Sequence, residues 1–380
     1  MVKLITGTAW KILVWVIILL GISYMLSAQN DFEGYEYLFH PVRNYVVYKT
    51  NESIKIDGKA TEKCWIDADW SGGFLDIEGA HKPQPLLETR FKMLWDDKNI
   101  YFFFELEEPH IWATYSNHDQ IVFHENDVEI FIDPDRNAID YFEFEFNAKN
   151  TLFDLFMPLS YRNGGKPLMT WNAPGLKSAV SINGTLNNPE DKDESWTLEL
   201  AIPFYSLKAG MRSVRPDEGS TWKINFSRVQ WQIEAEKGVY IKKIDPETGK
   251  HYPEYNWVWS PQGVINMHLP ERWGMIQFST HPPGEKKTNF LMPPDEELMK
   301  YLWLIYYKQR DFISKHGKYA ATLENLGIKK KYTTVADEEI EIEIDAAKSS
   351  YRIILSKGEN VKYAIDNRGQ ISKIGTLKRQ

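Results

Sequence analysis

Apolar and polar residues alternate with a period of two through the middle of the chain, in short segments that stop at Pro, Gly or Asp. This is the pattern of β-strands separated by turns, and no long amphipathic helix pattern interrupts it. It predicts an all-β domain, an antiparallel β-sandwich of jelly-roll or immunoglobulin-like type. The predicted strands are Ile54–Gly58, Phe91–Trp95, Ile100–Phe104, Asp127–Asp133, Tyr141–Asn147, Trp196–Ile202, Trp222–Val229 and Trp273–Phe278.

A different pattern follows the proline pair at 293–294. Asp295 opens a segment with helical spacing of apolar residues that reaches about His316, and Gly317 is suited to end it. Alternating segments at 340–344, 351–355 and 361–365 then predict a small antiparallel meander. We therefore expect a sandwich domain at 30–280, a linker at 281–294 and a C-terminal helix-plus-meander extension at 295–380. The extension offers no chemistry of its own, and a protein partner is the role considered for it.

The first residues have the features of a secretory signal. Lys3 precedes an apolar run from Ile12 to Leu26, and the small residues Ser27 and Ala28 follow. A signal peptide at 1–29, cleaved near Gln29, is expected. An uncleaved anchor stays open, since the run is nearly long enough to span a bilayer. Either reading places the remaining chain in the periplasm, at the cell surface or outside the cell, and no later segment is apolar enough to cross a membrane.

Composition narrows the function classes. The formal net charge of −8 argues against nucleic-acid binding, which needs a basic face. Cys64 is the one cysteine, so an intrachain disulfide is excluded and a buried thiol is expected. The 14 Trp and 20 Tyr suit a β-rich core, and some of these rings are candidates for stacking on sugars.

Two predicted strands, Asp127–Asp133 and Tyr141–Asn147, share a distinctive pattern. Their even positions are apolar and belong in the core, whereas their odd positions place carboxylates, an amide and aromatic rings on one face. Sugars suit this mixture, because carboxylates and amides bind hydroxyls and rings pack on C–H groups. A solvated face with cross-strand pairs is the alternative. Glu129 with Glu143 or Glu145 would also suit hydrolysis of a glycosidic bond.

Two loops dense in aromatic and polar residues are further binding candidates, one at 112–126 and one at 257–274. For their tryptophans, core packing is the alternative, and for their histidines a hydrogen-bonded surface position. The adjacent Met267 and His268 keep a heme- or metal-binding sandwich open. The residues taken as ligand-binding candidates here are Trp112, Trp257, Trp259, Met267 and His268.

Several motifs together resemble the carbohydrate-binding modules of family 9, over about Tyr48 to Phe278. They are Ile56-Asp57-Gly58 followed by Cys64-Trp65, Leu94-Trp95-Asp96 with Ile100-Tyr101, Asn126 to Asp133, and Trp273-Gly274. The resemblance implies a β-sandwich with structural calcium, in which two aromatic rings clamp the end of a poly- or oligosaccharide.

Carried over residue by residue, the resemblance implies a variant site. Phe123 takes the first clamp position, Glu129 the acidic position and Asn147 the asparagine position. The second clamp position falls on Met267, and a family arginine falls on Glu145. Trp112, Trp257 or Trp259 is then expected to supply the second ring, and Arg228 the cation. Asp133, Asp135 and Asn137 are the candidate calcium ligands, since Ca²⁺ prefers oxygen donors.

The function expected from the sequence is that of an exported, non-catalytic carbohydrate-binding protein that assists glycan capture or breakdown. A glycoside hydrolase or lyase using paired carboxylates is one alternative. A heme- or metal-binding sandwich is the other.

Overall fold

The computed structural model describes residues 31–208 and 214–374, so the predicted signal segment lies outside the described residues. The chain forms two compact units. The first spans Pro41–Pro294, and the second combines the N-terminal residues up to His40 with those from Asp295 onward. Residues 31–40 thus cluster with the C-terminal residues and not with the strands that follow them.

Strands dominate the first unit, which also contains a short helix, α1 (Lys63–Asp67). Its described strands are β1 (Asn44–Lys49), β2 (Leu75–Asp76), β3 (Thr89–Trp95), β4 (Asn99–Glu107), β5 (Asp127–Asp133), β6 (Tyr141–Asn147), β7 (Leu152–Met157), β8 (Lys177–Asn183), β9 (Ser195–Pro203), β10 (Thr221–Gln230), β11 (Ile233–Glu236), β12 (Val239–Lys242), β13 (Tyr255–Val258) and β14 (Gly274–Ser279).

Twelve of these strands form one sheet within the described residues, and β11 and β12 form a separate hairpin. Along the main path the order is β7-β6-β5-β10-β14-β1-β3-β4-β9-β8, with β13 paired to β10 and β2 paired to β13. The mostly-β class is confirmed. The expectation of a purely antiparallel sheet is wrong at β1, which runs parallel to both β14 and β3. This strand has neighbours distant in sequence, so no local turn dictates its direction.

The sheet curls so that its two halves share one core. Phe91 of β3 and Phe104 of β4 pack on Phe226 of β10, with ring centroids 4.3 and 5.2 Å apart. The even-numbered apolar residues of β5 and β6 join the same core, as their alternation predicted. This burial of apolar rings is the main source of stability in the unit.

Residues 54–58, predicted as a strand, form none. The backbone N–H groups of Asp57 and Gly58 instead donate to the Glu199 carboxylate on β9, at 2.9 and 3.0 Å. Gly58 has a φ of +81°, and a Cβ there would lie 2.8 Å from the Ser181 backbone nitrogen. The segment is therefore held by a side chain on another strand, which its own alternation does not reveal.

The second unit contains the predicted C-terminal helix, α2 (Glu296–His316), which ends at Gly317 with a φ of +68°. The predicted meander is also present, in a five-stranded antiparallel sheet of consecutive strands. These are β15 (Lys331–Thr333), β16 (Glu339–Ala346), β17 (Tyr351–Lys357), β18 (Val361–Asp366) and β19 (Ile371–Lys373). In the described part of the chain, no helix combines the length and the apolar character needed to cross a membrane.

Candidate functional site

A cavity of about 500 Å³ lies on the odd-numbered face of β5, β6 and β7. Strand side chains form one part of its lining, and loops around 121–123, 161–169 and 265–268 form the rest. The lining residues are Ile77, Ile121, Phe123, Glu129, Phe131, Glu143, Glu145, Phe153, Leu155, Tyr161, Pro167, Met169, Asn256, Ile265, Asn266, Met267 and His268.

Strand register explains why carboxylates and rings meet here. Glu129 lies opposite Glu145, and Phe131 lies opposite Glu143, across the β5–β6 pair. On the far side of β6, Phe153 of β7 lies opposite Glu145. Residues directly opposite in neighbouring strands project from the same face. The alternation read from the sequence therefore places three carboxyl groups and the flanking rings on one surface.

Burial makes these three carboxyl groups unusual. Glu129, Glu143 and Glu145 are all buried, although charged groups are almost never fully buried without a partner. Burial raises the pKa of Glu129 to about 7. Burial, followed by the charge of Glu129, raises the pKa of Glu143 and that of Glu145 well above the ordinary value. A carboxyl group that keeps its proton, as Glu129 does in part near neutral pH, can both donate and accept hydrogen bonds, as sugar hydroxyls do.

Aromatic and apolar side chains border the cavity. Phe123 is 39% exposed and Tyr161 is 48% exposed, and both line it. The Phe123 backbone N–H donates to Glu145 Oε2 at 3.1 Å, which ties this loop to the carboxylate face. Exposed rings beside buried carboxyl groups form the polar-aromatic mixture that packs against a sugar.

His268 is held in place by its neighbours. Its Nδ1 lies 2.9 Å from the Tyr141 hydroxyl, and its ring centroid lies 4.5 Å from that of Tyr161. Burial, together with the positive charge of Arg162, lowers the pKa of His268 to about 4. The imidazole is therefore neutral at ordinary pH, with one ring nitrogen already engaged.

Five of the ligand-binding candidates from the sequence meet in this cavity, together with Glu143. They are Phe123, Glu129, Glu145, Met267 and His268. Phe123 and Met267 are the residues at the two clamp positions implied by the resemblance, and both line the space in which a ligand would lie.

Asn147 and Arg228 lie elsewhere, with their polar groups in use. The Asn147 side chain bonds the Tyr115 carbonyl, Glu125, and the backbone N–H groups of Lys149 and Thr151. Arg228 lies opposite Val128 in the β10–β5 pair and thus projects from the opposite face to Glu129. Its guanidinium pairs with Glu108 at 3.1 Å inside the protein.

The three candidate tryptophans are also outside the cavity. Trp257, in β13 and not in a loop, stacks on Tyr255 at 5.4 Å. Trp259 is buried in the core with its ring centroid 5.2 Å from that of Phe91. Trp112 is mostly buried beside a separate depression that Thr114, His124 and Lys242 help to line. Core packing, the alternative held open for Trp257 and Trp259, is the position found.

The loop after β5 contains the candidate calcium ligands. Asp133 accepts the backbone N–H groups of Arg136 and Ala138, both at 2.9 Å, and Asp135 accepts the Asn137 amide at 2.7 Å. Burial and the neighbouring charge of Asp135 raise the pKa of Asp133 well above its ordinary value. Two close carboxylates and an amide oxygen are hard donors of the kind Ca²⁺ takes, so this donor set fits the ion.

Sequence reasoning missed much of the cavity lining. Phe153 and Leu155 alternate along β7 and could have been assigned to this face once β7 was paired with β6. Tyr161 reaches the cavity from the segment after β7, and Asn256 reaches it from β13. Nothing in the local pattern around these two residues identifies them, since their proximity to β5 depends on the whole fold.

Comparison with known proteins agrees with these motifs. Residues 56–227 match the family model described as carbohydrate family 9 binding domain-like, and this stretch includes β5, β6 and most of β10. This match confirms the resemblance that the sequence motifs indicated. No curated protein matches the chain.

Three solved structures are among those that match this chain. A protein of Bacteroides uniformis ATCC 8492 assigned to carbohydrate binding is 20% identical, with a TM-score of 0.45 over 63% of this chain and 100% of that chain. A family 9 module of Caldicellulosiruptor kristjanssonii, solved with glucose and with cellotriose, is 15% and 14% identical. Each covers 66% of this chain and 100% of its own, with a TM-score of 0.37. With TM-scores below 0.5, these similarities carry no argument about this chain.

Proposed function

We propose that this protein is an exported carbohydrate-binding protein that holds a saccharide in the cavity over β5 and β6 and assists glycan capture or breakdown without catalysis. One observation carries the proposal. Within the family-matched stretch, the buried carboxyl groups of Glu129, Glu143 and Glu145 lie in a cavity bordered by exposed aromatic rings. Its volume of about 500 Å³ is in the range of small-ligand sites.

The binding chemistry follows from this lining. Carboxylates accept hydrogen bonds from sugar hydroxyls, and a carboxyl group that carries a proton donates one in return. Phe123 and Tyr161 offer ring faces or edges to the C–H groups of a sugar ring. Asn256 and Asn266 add amide groups that both donate and accept. Such a set favours a neutral or weakly charged polyol over an anion, since the carboxyl groups would repel an anion.

The proposal is tested by saccharide binding to the full-length protein. Affinity electrophoresis on plant and algal polysaccharides, followed by calorimetry with oligosaccharides, is expected to find a ligand. Phe123→Ala and Tyr161→Ala should each weaken binding about tenfold, the effect of losing roughly 1.4 kcal/mol of ring packing. Tyr205→Ala is the matched control, because Tyr205 is 63% exposed and is not part of the cavity lining. Absence of retardation on every polysaccharide would contradict the proposal.

Hydrolysis is a second candidate with its own supporting observation. Oxygen atoms of Glu129 and Glu145 lie within 4.8 Å of each other, and the pKa of Glu129 is about 7, a value suited to a general acid. Retaining glycosidases have carboxyl groups about 5 Å apart. Release of new reducing ends from a bound glycan, abolished by Glu129→Gln, would favour this function. Unchanged glycan after long incubation would contradict hydrolysis and support binding without catalysis.

Export and the finer fold belong to the same proposal. Cleavage near Gln29 is expected, and mass spectrometry of protein recovered from outside the cytoplasm should give a first residue close to this position. An intact N-terminus in the membrane fraction would favour the uncleaved anchor. We assign the two halves of the curled sheet as layers of a β-sandwich, supported by the contact of Phe91 with Phe226.

Structural calcium at Asp133, Asp135 and Asn137 is proposed with the fold. These residues would hold the ion through oxygen atoms, and the ion would offset the repulsion between two neighbouring carboxylates. The predicted protein partner of the C-terminal extension has no support from the described residues of the second unit. It stays a prediction.

A further inference from the structure

A cluster of three carboxyl groups lies next to the cavity over β5 and β6. Asp127, Glu129 and Glu145 approach one another closely, and one oxygen atom of each lies within 4.8 Å of the others. Their residues are only 1%, 6% and 1% exposed. The register brings them together, because Asp127 and Glu129 are two residues apart on β5 and Glu145 lies directly across from Glu129 on β6.

Asp127 is the member whose position needs an explanation. Neither of its carboxylate oxygens has a hydrogen-bond partner of good geometry in the described ranges, although the Val229 backbone N–H of β10 is close enough to lower its pKa. The neighbouring charges that act on it are those of Glu129, Glu143 and Glu125, and all three repel it. A buried carboxylate normally has hydrogen bonds, a counter-charge or a metal ion. Among the described residues Asp127 has no counter-charge and only the Val229 N–H lowers its pKa, while one of its oxygens lies within 4.8 Å of an oxygen of each of two further carboxylates.

The spacing of the three oxygens fits a calcium ion. Ca²⁺ holds its oxygen ligands at 2.3–2.6 Å, so two ligands of one ion can be at most about 5 Å apart. Every pair in the group lies within 4.8 Å, which satisfies this condition. Mg²⁺ suits an all-carboxylate site less well, because it gives up its water reluctantly.

We propose that Asp127, Glu129 and Glu145 bind a Ca²⁺ ion next to the cavity. Glu129 and Glu145 line the cavity, whereas Asp127 does not. An ion shared by all three would thus have Asp127 behind it and the cavity in front. Its remaining coordination positions would face the cavity and be open to hydroxyl oxygens. This last step rests on the proposed function, and it makes saccharide binding dependent on calcium.

Calcium binding to ion-free, full-length protein tests the site directly. Titration calorimetry with CaCl₂ is expected to show that Asp127→Asn loses one equivalent, or binds it at least about tenfold more weakly, a loss typical even of outer-shell changes. Asp135→Asn is the matched control and should keep that equivalent, since Asp135 belongs to the separate loop after β5. A wild-type protein that binds no calcium, or an Asp127→Asn protein that binds as the wild type does, would overturn the proposal.

Thermal unfolding shows whether the Asp127→Asn variant is correctly folded. Asp127→Asn keeps the shape of the side chain and removes a repelled charge, so without calcium it should unfold at or above the temperature of the parent. The parent and the Asp127→Asn variant both carry Asp135→Asn, so that calcium binding at the loop after β5 contributes little to the unfolding temperature. Added calcium should raise the unfolding temperature of the parent and leave that of the Asp127→Asn chain unchanged. Equal rises in both would contradict the site.

Saccharide binding with and without EDTA separates the two proposals. Loss of binding in EDTA, restored by calcium, supports the coupled site. If calcium binds in an Asp127-dependent way but no glycan binds, the proposed function is contradicted and the ion site is supported. Glycan binding that EDTA does not alter, in a protein without the Asp127-dependent equivalent, contradicts the ion site and leaves the proposed function standing.

Discussion

Arg228 was a candidate ligand contact in the sequence, but in the structure its charge is buried and stabilises the fold. The Arg228 guanidinium donates to Glu108, Thr89, Gln230 and the Glu107 carbonyl inside the protein. The sequence shows an arginine at the end of an apolar strand. It does not show that the partners of this arginine come from β3, β4 and the residue just after β4. The candidate sugar contact is therefore occupied by structural hydrogen bonds, and stability is the property its loss should affect.

Replacing Arg228 should destabilise the protein without altering the saccharide site. In Arg228→Met the Glu108 carboxylate remains buried without its partner, which typically costs about 3–5 kcal/mol. Urea unfolding should reveal that loss, while the affinity of the folded fraction for its saccharide stays within about twofold of wild type. Weaker binding at unchanged stability would instead place Arg228 in the ligand site.

His268 should make stability depend on pH in a defined direction. Its pKa of about 4 in the folded protein is below the ordinary value of 6.5, so the unfolded chain takes up the proton first. The stabilising contribution is therefore complete above about pH 6.5 and is lost as the pH falls toward 4, by at most about 3 kcal/mol. The free energy of unfolding of His268→Gln should fall less between pH 7 and 4.5. An identical fall in both proteins would show that His268 titrates normally.

At the scale of elements, β5 and β6 were the most predictable part of the site. Their strict alternation predicted both strands with their bounds, the core face and the carboxylate face. The same alternation could not predict the rest of the cavity lining, because Tyr161 comes from the segment after β7 and Asn256 comes from β13. It also could not distinguish Trp257 and Trp259 as core residues. Large rings near a chain turn fit a binding loop and a packed strand end equally well.

The start of β14 depends on a residue without a side chain. A Cβ at Gly274 would lie 2.3 Å from the Trp259 ring, which is itself buried in the core. Gly274→Ala should therefore force the ring or the strand to move, at a cost of roughly 1–3 kcal/mol in the free energy of unfolding. Gly73→Ala is the control, because nothing lies within 4 Å of a Cβ there. Equal urea midpoints for both variants would contradict this packing.

At the scale of the molecule, the division of the chain was only partly visible in the sequence. The change of pattern at Asp295 marked the start of the C-terminal helix and meander, since a period of two gives way to helical spacing. The membership of residues 31–40 in the same unit was not visible. It depends on ring contacts such as Phe39 with Tyr301, 5.4 Å apart, between residues far apart in the chain. Such long-range pairs leave no local signal, and the parallel neighbours of β1 are hidden in the same way.

Since the whole candidate site lies in the first unit, ligand should protect only that unit against exchange. A ligand at 100 times its Kd stabilises the state it binds by about 2.7 kcal/mol, which slows globally exchanging amides about 100-fold. Hydrogen exchange with mass spectrometry should show this slowing in peptides from β5 and β6. Peptides from β16 and β17 of the second unit should exchange at the rate of the free protein. The Phe123→Ala protein at the same ligand concentration is the control, and its peptides should gain less protection. Equal protection of both units would mean that the ligand also engages the C-terminal unit, which would contradict a site confined to the cavity over β5 and β6.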